Sequence, residues 1–378
     1  MGKQQYTATT LTGLEDVLTG ELKHLGAEKV VKRTRAVEFQ GDTTLMYRAN
    51  LELRTALRVL KPIHRFRARK DQTFYDQVRQ VDWNQYLTPA DTLAVDSVVN
   101  SKYFTHSKYS ALRVKDAIVD QFRDRTGKRP SVDVDTPTVR IHLYITGDRC
   151  VLSLDSSGDS LHRRGYRLAT GAAPVNEALA AGMVLLSGWD RQSAFTDPMC
   201  GSGTILIEAA LYARNFAPGL IRRAFGFQRW TGYDPHLWEQ VVEAARERVI
   251  DWDGPVVGAD RGAGALQNAR ENIARAGLDD LIRLSQTSFE DREPSTEEGV
   301  VMMNPPYGER MKTTDIFALY ERIGDTLKQN YSGHVAWVLS ANKEALKHIG
   351  LRTSRRYTLY NGPLECKFHR YDIYAGRT

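Results

Sequence analysis

The sequence predicts an α/β protein in which a parallel sheet with helices on both faces follows a smaller α+β unit. Three observations predict it. From about Ala172, strand-like apolar runs alternate with amphipathic helical runs, the pattern of a sheet built by crossover connections. The N-terminal segment instead reads strand–helix–strand–strand–helix. Charge is also split: residues 1–165 carry 27 Lys/Arg against 20 Asp/Glu, whereas residues 166–378 carry 25 against 26. At 378 residues and ~150 residues per domain, two or three domains are expected. A hydrophobic fraction of 42% with 26% charged residues excludes a disordered or fibrous chain. The excess of positive charge in the first half points to a basic binding module joined to a near-neutral second unit.

YTATT opens the chain as a strand. Leu14, Val17, Leu18, Leu22 and Leu25 follow at helical spacing, with Gly26 as the C-terminal cap. KVVKR and AVEFQ read as strands, and a helical pattern runs through Met46, Leu53 and Leu57. A second unit starts near Lys61 with KPIHRFRARK, which holds Lys61, Arg65, Arg67, Arg69 and Lys70 and no acidic residue. DTLAVDSVVN reads as a strand, SALRVKDAIVDQFRDRTG as a helix ending at Gly127, and TVRIHLYITGDRCVLSLDSSG as a hairpin about Gly147-Asp148. LHRRGYRLATGAA is polar, basic and Gly-containing, as a domain junction is. Beyond it come the helix VNEALAAGMVLLSGW, the strand and turn SAFTDPMCGSG, and the helix TILIEAALYARN. A long helical insert precedes PVVGAD (strand), ALQNARENIARAG (helix), LIRLSQT and GVVMMNPP (strands), IFALYERIGDTLKQN (helix) and HVAWVLS (strand).

Cys150, Cys200 and Cys366 are far apart, with no CxxC and no nearby His pair, so neither a disulfide framework nor a metal site is expected. The N-terminus lacks the apolar core of a signal peptide. The longest apolar stretch, Ala178 to Leu186, is far short of the ~20 residues that span a bilayer. The expectation is a cytoplasmic protein with neither membrane nor metal partner; the sequence is silent on oligomeric state.

Three motifs carry chemistry. Asp197-Pro198-Met199-Cys200-Gly201-Ser202-Gly203 lies between a strand and a helix, where a glycine turn lets a ligand approach backbone N–H groups. It is neither a dinucleotide fingerprint, since Leu206 stands at the third glycine position, nor a P-loop, since no Lys follows. An acidic residue in such a turn repels a pyrophosphate and suits a cationic ammonium or sulfonium group. Asp260 ends PVVGAD, where a carboxylate can accept from a ribose diol; taken alone it reads equally well as the N-cap of the next helix. Asn304-Pro305-Pro306-Tyr307 closes an apolar strand with two prolines that continue neither ladder nor helix. The Asn304 amide oxygen and the Pro305 carbonyl are two acceptors beside an aromatic ring. Together they suit a flat substrate with an exocyclic amine, Tyr307 stacking on its ring. Accepting both N–H bonds turns the nitrogen lone pair toward an electrophile without need of a strong base.

These motifs, with LDSSGDSLHRRGYR (154–167), AAPVNEALAA (172–181) and NPPYGER (304–310), resemble the bacterial THUMP-domain, class I S-adenosylmethionine-dependent RNA methyltransferases that act on guanine N2 in large-subunit ribosomal RNA. The resemblance runs from end to end. It implies an N-terminal ferredoxin-like unit (1–62), a THUMP RNA-binding domain (63–160) and a Rossmann-like methyltransferase domain (161–378). It places Asp197, Pro198, Cys200, Gly201 and Gly203 beside the methionine part of S-adenosylmethionine, Asp260 at the ribose, and Asn304 to Tyr307 at the target base, with Asn304 also bordering the cofactor. Pro174, Asn176 and Glu177 start a helix that closes over the cofactor. Where many methyltransferases carry an acidic adenine contact this chain reads Gln286-Thr287-Ser288, and Gln286 is taken as the contact.

The partner implied is structured RNA, ribosomal RNA first. Lys61, Arg65, Arg67, Arg69, Lys70, Arg163, Arg164 and Arg167 are its candidate phosphate contacts, and Phe66, Tyr103, Phe104 and Tyr109 its stacking platforms. A basic strand edge that blocks aggregation is the plainer alternative. Transfer RNA is a further target for the same chemistry. Rival readings are adenine-N6 methylation of DNA, which shares the NPPY tetrad but calls for a target-recognition domain, and a non-catalytic ribosome-assembly factor.

Overall fold

A computed structural model describes residues 2–167, 175–308 and 313–374. The first unit opens with β1 (Gln4–Thr10), α1 (Glu15–His24), β2 (Glu28–Arg33), β3 (Ala36–Gly41), α2 (Thr43–Glu52) and β4 (Ala56–Arg67). α2 starts where the Asp42 carboxylate accepts the Leu45 N–H at 2.8 Å. It stops before Leu57, which the helical pattern had included. The Glu21 carboxylate takes the N–H groups of Arg54 and Thr55 at 2.6 and 3.1 Å, so the chain turns into β4 instead.

α3 (Asp71–Arg79), β5 (Thr92–Asn100), α4 (Ser107–Thr126), β6 (Ser131–Val132), β7 (Val139–Thr146) and β8 (Arg149–Asp155) follow. All eight strands form one sheet, ordered β2-β3-β1-β4-β8-β7-β5-β6. The expected division at 62/63 falls inside β4. Its first residues pair with β1 and its later ones, through the basic run, with β8. One long strand thus makes the two N-terminal units a continuous surface, with Phe66, Phe74, Phe122 and Leu143 in the second unit's core.

The second half contains α5 (Glu177–Ser187), β9 (Ala194–Asp197), α6 (Thr204–Ala213), α7 (Pro235–Glu247), β10 (Val256–Asp260), α8 (Ala263–Ala276), β11 (Ile282–Gln286), β12 (Gly299–Met303), α9 (Thr313–Asn330), β13 (Val335–Ser340), β14 (Thr353–Asn361) and β15 (Leu364–Asp372). The sheet order is β11-β10-β9-β12-β13-β15-β14, with β11 to β13 parallel and β15 antiparallel to both neighbours. The closing hairpin, β14–β15, is absent from the alternating pattern read in the sequence. Strand order reverses between β9 and β12, and such a switch point opens a crevice at the strands' carboxyl ends.

The insert between α6 and β10 does more than lengthen a connection. Phe225, Phe227, Val241 and Ala245 pack into one core with Tyr6, Leu18, Phe39 and Tyr47 of the first unit. Tyr47 stacks on Phe227 with ring centroids 4.4 Å apart. Burial of these rings fastens the two halves, at about 25 cal/mol per Å² of apolar area removed from water.

Candidate active site

A cavity of about 710 Å³ occupies the crevice. Val175, Asp197 to Ser202, Thr204 and Asp260 line one wall, Thr287 to Glu290 another, and Asn304 to Gly308 a third. The β9 wall is set by its backbone. β9 is buried throughout, and the chain then turns through Gly201 (φ +53°) and Gly203 (φ +79°) into α6. Both lie in the left-handed region that favours glycine. A Cβ on Gly203 would also stand 3.3 Å from that of Ala269. The turn is tied to β10 by Cys200 N–H donating to Ala259 O at 2.9 Å, and by Asp260, whose Oδ2 accepts from Gly201 N–H at 3.0 Å and Oδ1 from Gly262 N–H at 2.8 Å.

Asp197 is buried, and its carboxylate accepts one backbone N–H, from Met199 at 3.1 Å. Burial, followed by the negative charge of Asp260, pushes its pKa up to about 8, the Met199 bond opposing in part. A buried carboxyl with so little compensation is a receptor for positive charge. Cys200 is a buried apolar wall whose thiol burial pushes up, so it stays protonated.

The NPPY corner sits on the adjacent strand. β12 is wholly buried, Pro305 buried, Pro306 exposed, and Asn304 and Tyr307 half-buried. Three elements and the loop after β13 brace it. Tyr320 of α9 donates to Pro306 O at 3.3 Å and shares a 2.6 Å bond with Ser340 of β13. Asn342 Nδ2 donates to Tyr307 O at 3.2 Å, and Cys366 Sγ of β15 lies 3.9 Å from the Tyr307 hydroxyl. The Tyr307 hydroxyl donates to Asn304 Oδ1. Burial first, then Cys366, raises the Tyr307 pKa above its ordinary value, so it remains a donor. This revises the expected part of Tyr307. Its ring borders the cavity but also packs on the main core, and its hydroxyl orients the Asn304 amide. The Pro305 carbonyl accepts no hydrogen bond among the described residues.

Several candidate residues stand elsewhere. Pro174 lies outside the described residues. Asn176 caps α5, accepting from Ala178 and Leu179 N–H at 2.9 and 3.3 Å, and Glu177 is buried against Arg167 at 2.9 Å. Neither side chain lines the cavity, whereas the adjacent Val175 does. Gln286 is exposed and donates to Arg261 O at 3.4 Å; the residues just after it, Thr287 to Glu290, form the wall. Gly203 supports the turn from behind.

The basic candidates divide sharply. Arg65, Arg67, Arg69, Lys70 and Arg163 are exposed. Tyr103, also exposed, has Arg69 and Lys102 over its ring at 5.6 and 5.3 Å, and Tyr109 is exposed as well. Arg164, by contrast, is 1% exposed and faces Glu208 at 3.4 Å, donating also to Leu161 O and Arg54 O. Arg167 donates to Glu177, Val175 O and Thr204. Both are corrected from RNA contacts to ties between the linker, α5 and α6. Phe66 and Phe104 are corrected likewise, being buried in the second unit's core. Lys61 is half-buried beside a second cavity. Tyr320, Asn342 and Cys366 escaped sequence reading because no local pattern links them to residue 304. No described helix is long and apolar enough to cross a membrane, and no three described His, Cys, Asp or Glu residues cluster as a metal site.

The sheet order, glycine turn, isolated buried acid and acceptor-bearing corner define a Rossmann-like methyltransferase. Residues 164–370 match the family described as RMKL-like, methyltransferase domain; residues 68–155 match the THUMP domain, and residues 5–60 the RlmL ferredoxin-like domain. The chain belongs to this family of RNA methyltransferases and uses S-adenosylmethionine. It is 41% identical to "Putative RNA methyltransferase slr0064" of Synechocystis over 98% of this chain and 97% of that protein. It is 43% identical to ribosomal RNA large subunit methyltransferase K/L of Syntrophotalea carbinolica over 98% of this chain and 53% of that one. The chain thus spans about half the length of the K/L relatives. Among solved structures, SMU.472 complexed with SAH matches over 100% of both chains with a TM-score of 0.89 and 28% identity. The residues present fit the cofactor: a buried acid for its positive charge, glycines that leave the backbone open, and Asp260 at the tip of β10.

Proposed function

We propose that this chain methylates the exocyclic N2 amine of a guanine in large-subunit ribosomal RNA. The observation that carries the reading is the pair of acceptors at the NPPY corner, on the strand next to Asp197. Asn304 Oδ1 keeps a lone pair beyond the one held by Tyr307, and Pro305 O is free of donors among the described residues. S-adenosylmethionine supplies an electrophilic methyl group on a sulfonium centre. The chain's residues do the rest. Asp197, Gly201 and Asp260 hold the cofactor, while Asn304 and Pro305 accept the two amine hydrogens and aim the nitrogen lone pair. The nitrogen forms its bond to carbon as the sulfur–carbon bond breaks, then sheds one proton to solvent. Positioning supplies most of the acceleration. A paired N2 amine is hidden in a duplex, so the guanine must be flipped out.

The K/L relatives act, by name, on large-subunit ribosomal RNA, and the THUMP match supports RNA over DNA. Arg65, Arg67, Arg69, Lys70 and Arg163 are proposed as phosphate contacts, with Tyr103 and Tyr109 as stacking surfaces; a cytoplasmic location follows from such a substrate. The test is transfer of labelled methyl into deproteinised ribosomal RNA, transfer RNA and duplex DNA, with nucleoside mass spectrometry of the products. N2-methylguanosine from ribosomal RNA is expected; methyladenine in DNA, or no transfer, overturns the reading. Asn304→Ala is expected to lower turnover by at least about a hundredfold while calorimetry finds cofactor affinity unchanged.

A further inference from the structure

A second cavity, of about 170 Å³, lies where the first unit, the second unit and the insert of the catalytic domain meet. Its walls are aromatic: Tyr47, Tyr86, Phe227, Trp230 and Tyr233 surround Lys61. Thr231 and Gly232 at its edge are exposed, so it opens to solvent.

Its one cationic group lacks a partner. The Lys61 ammonium makes no hydrogen bond or ion pair among the described residues, and burial lowers its pKa with no carboxylate to counter that. Trp230 contributes its ring to the cavity, its indole N–H being enclosed by protein. A half-buried cation, costly to leave unpaired, calls for an anionic occupant. The aromatic walls call for a flat ring. The volume falls below the ~300–1,000 Å³ of pockets that enclose a whole drug-sized ligand, so the occupant is part of a larger molecule.

We infer that this cavity holds one unpaired nucleotide of the RNA substrate, its base against Trp230 and Tyr86 and its phosphate at Lys61. Because the cavity joins all three units, a nucleotide seated there fixes the RNA against the whole body of the enzyme, apart from the methylated guanine. The inference rests on RNA being the substrate and not on which atom is methylated.

The full chain is titrated with an end-labelled ten-residue oligoadenylate and with its abasic counterpart, read by fluorescence anisotropy. The parent is expected to prefer the base-bearing strand. Lys61→Gln is expected to weaken that binding about tenfold and flatten its salt dependence, and Trp230→Phe to weaken it severalfold. Unchanged cofactor affinity by calorimetry reports that each variant is folded. Equal affinity of parent and variants, equal affinity for the two strands, or no binding by the parent overturns the proposal. So does displacement of the oligomer by micromolar adenosine monophosphate, which identifies a free nucleotide as the occupant. Methyl transfer to ribosomal RNA, measured alongside, separates the two failures: transfer by the parent with variants binding normally removes the cavity's role alone, and absence of transfer to any RNA removes the reading beneath it.

Discussion

Two walls of the candidate cavity are built in opposite ways. The β9 wall is a backbone device: Gly201 and Gly203 take left-handed angles within one turn, and Ala259 O and the Asp260 carboxylate hold that turn by accepting the Cys200 and Gly201 N–H groups. The NPPY wall has a rigid backbone, but its functional amide is aimed by Tyr307. Tyr307 and the diproline are in turn braced from α9, β13 and β15. Each wall thus has a partner 59 positions away, but one is held through its backbone and the other through its side chains. The difference teaches that a motif compact in sequence can need distant residues in two ways, for the path of its backbone or for the aim of a side chain.

The largest expected effect sharpens this contrast. Gly203→Val puts a β-branched residue at φ +79° and against Ala269, and is expected to cost about 2–3 kcal/mol in denaturant unfolding together with most cofactor affinity. Stability and affinity near the parent's would show that the turn does not need glycine's backbone freedom.

Next comes pH. Free Asp197 titrates near 8, and a positively charged ligand favours its ionised form, so binding releases a proton below that pH. Cofactor affinity is expected to rise at least about tenfold from pH 6 to pH 8, and Asp197→Asn to flatten the profile. The same shift has the opposite sign for folding. Between the ordinary carboxyl value and about 8 the unfolded chain is ionised while the folded one holds its proton, so stability falls as pH rises through that window. A flat binding profile for the parent breaks the assignment of Asp197 to the ligand's charge.

The smallest effect tests the wall aimed by side chains. Tyr307→Phe keeps the ring and removes the hydroxyl, freeing the Asn304 amide to rotate. Turnover is expected to drop about fivefold with cofactor affinity unchanged; an undiminished rate would assign Tyr307 to stacking alone.

Much of this molecule was legible from its sequence because the signals are local. Gly26 and Gly127 stop helices in left-handed conformations, Asp197, Asp260 and Asn304 each fall at or just past the end of a strand, and the NPPY prolines mark their own corner. The arginines show where such reading stops. Arg65 and Arg164 are equally basic in the sequence, yet one is exposed on a strand and the other is enclosed beside Glu208. Sequence periodicity had nothing to say about an irregular linker. Gln286, chosen as the adenine contact, is the last residue of β11 paired with β10, and the cavity wall begins one residue later, where that pairing stops.

The sequence by itself determined the alternation of elements, the glycine turn, the two acids and the diproline corner, because each follows from backbone sterics or from polarity repeated over a few residues. Only tertiary structure decided which charges are surface and which are ties, that β4 welds two units into one sheet, and that an insert from the catalytic half completes the core of the first. Those outcomes depend on what packs across hundreds of positions, where burial and the need to pair each buried polar group choose among arrangements that local pattern leaves equal.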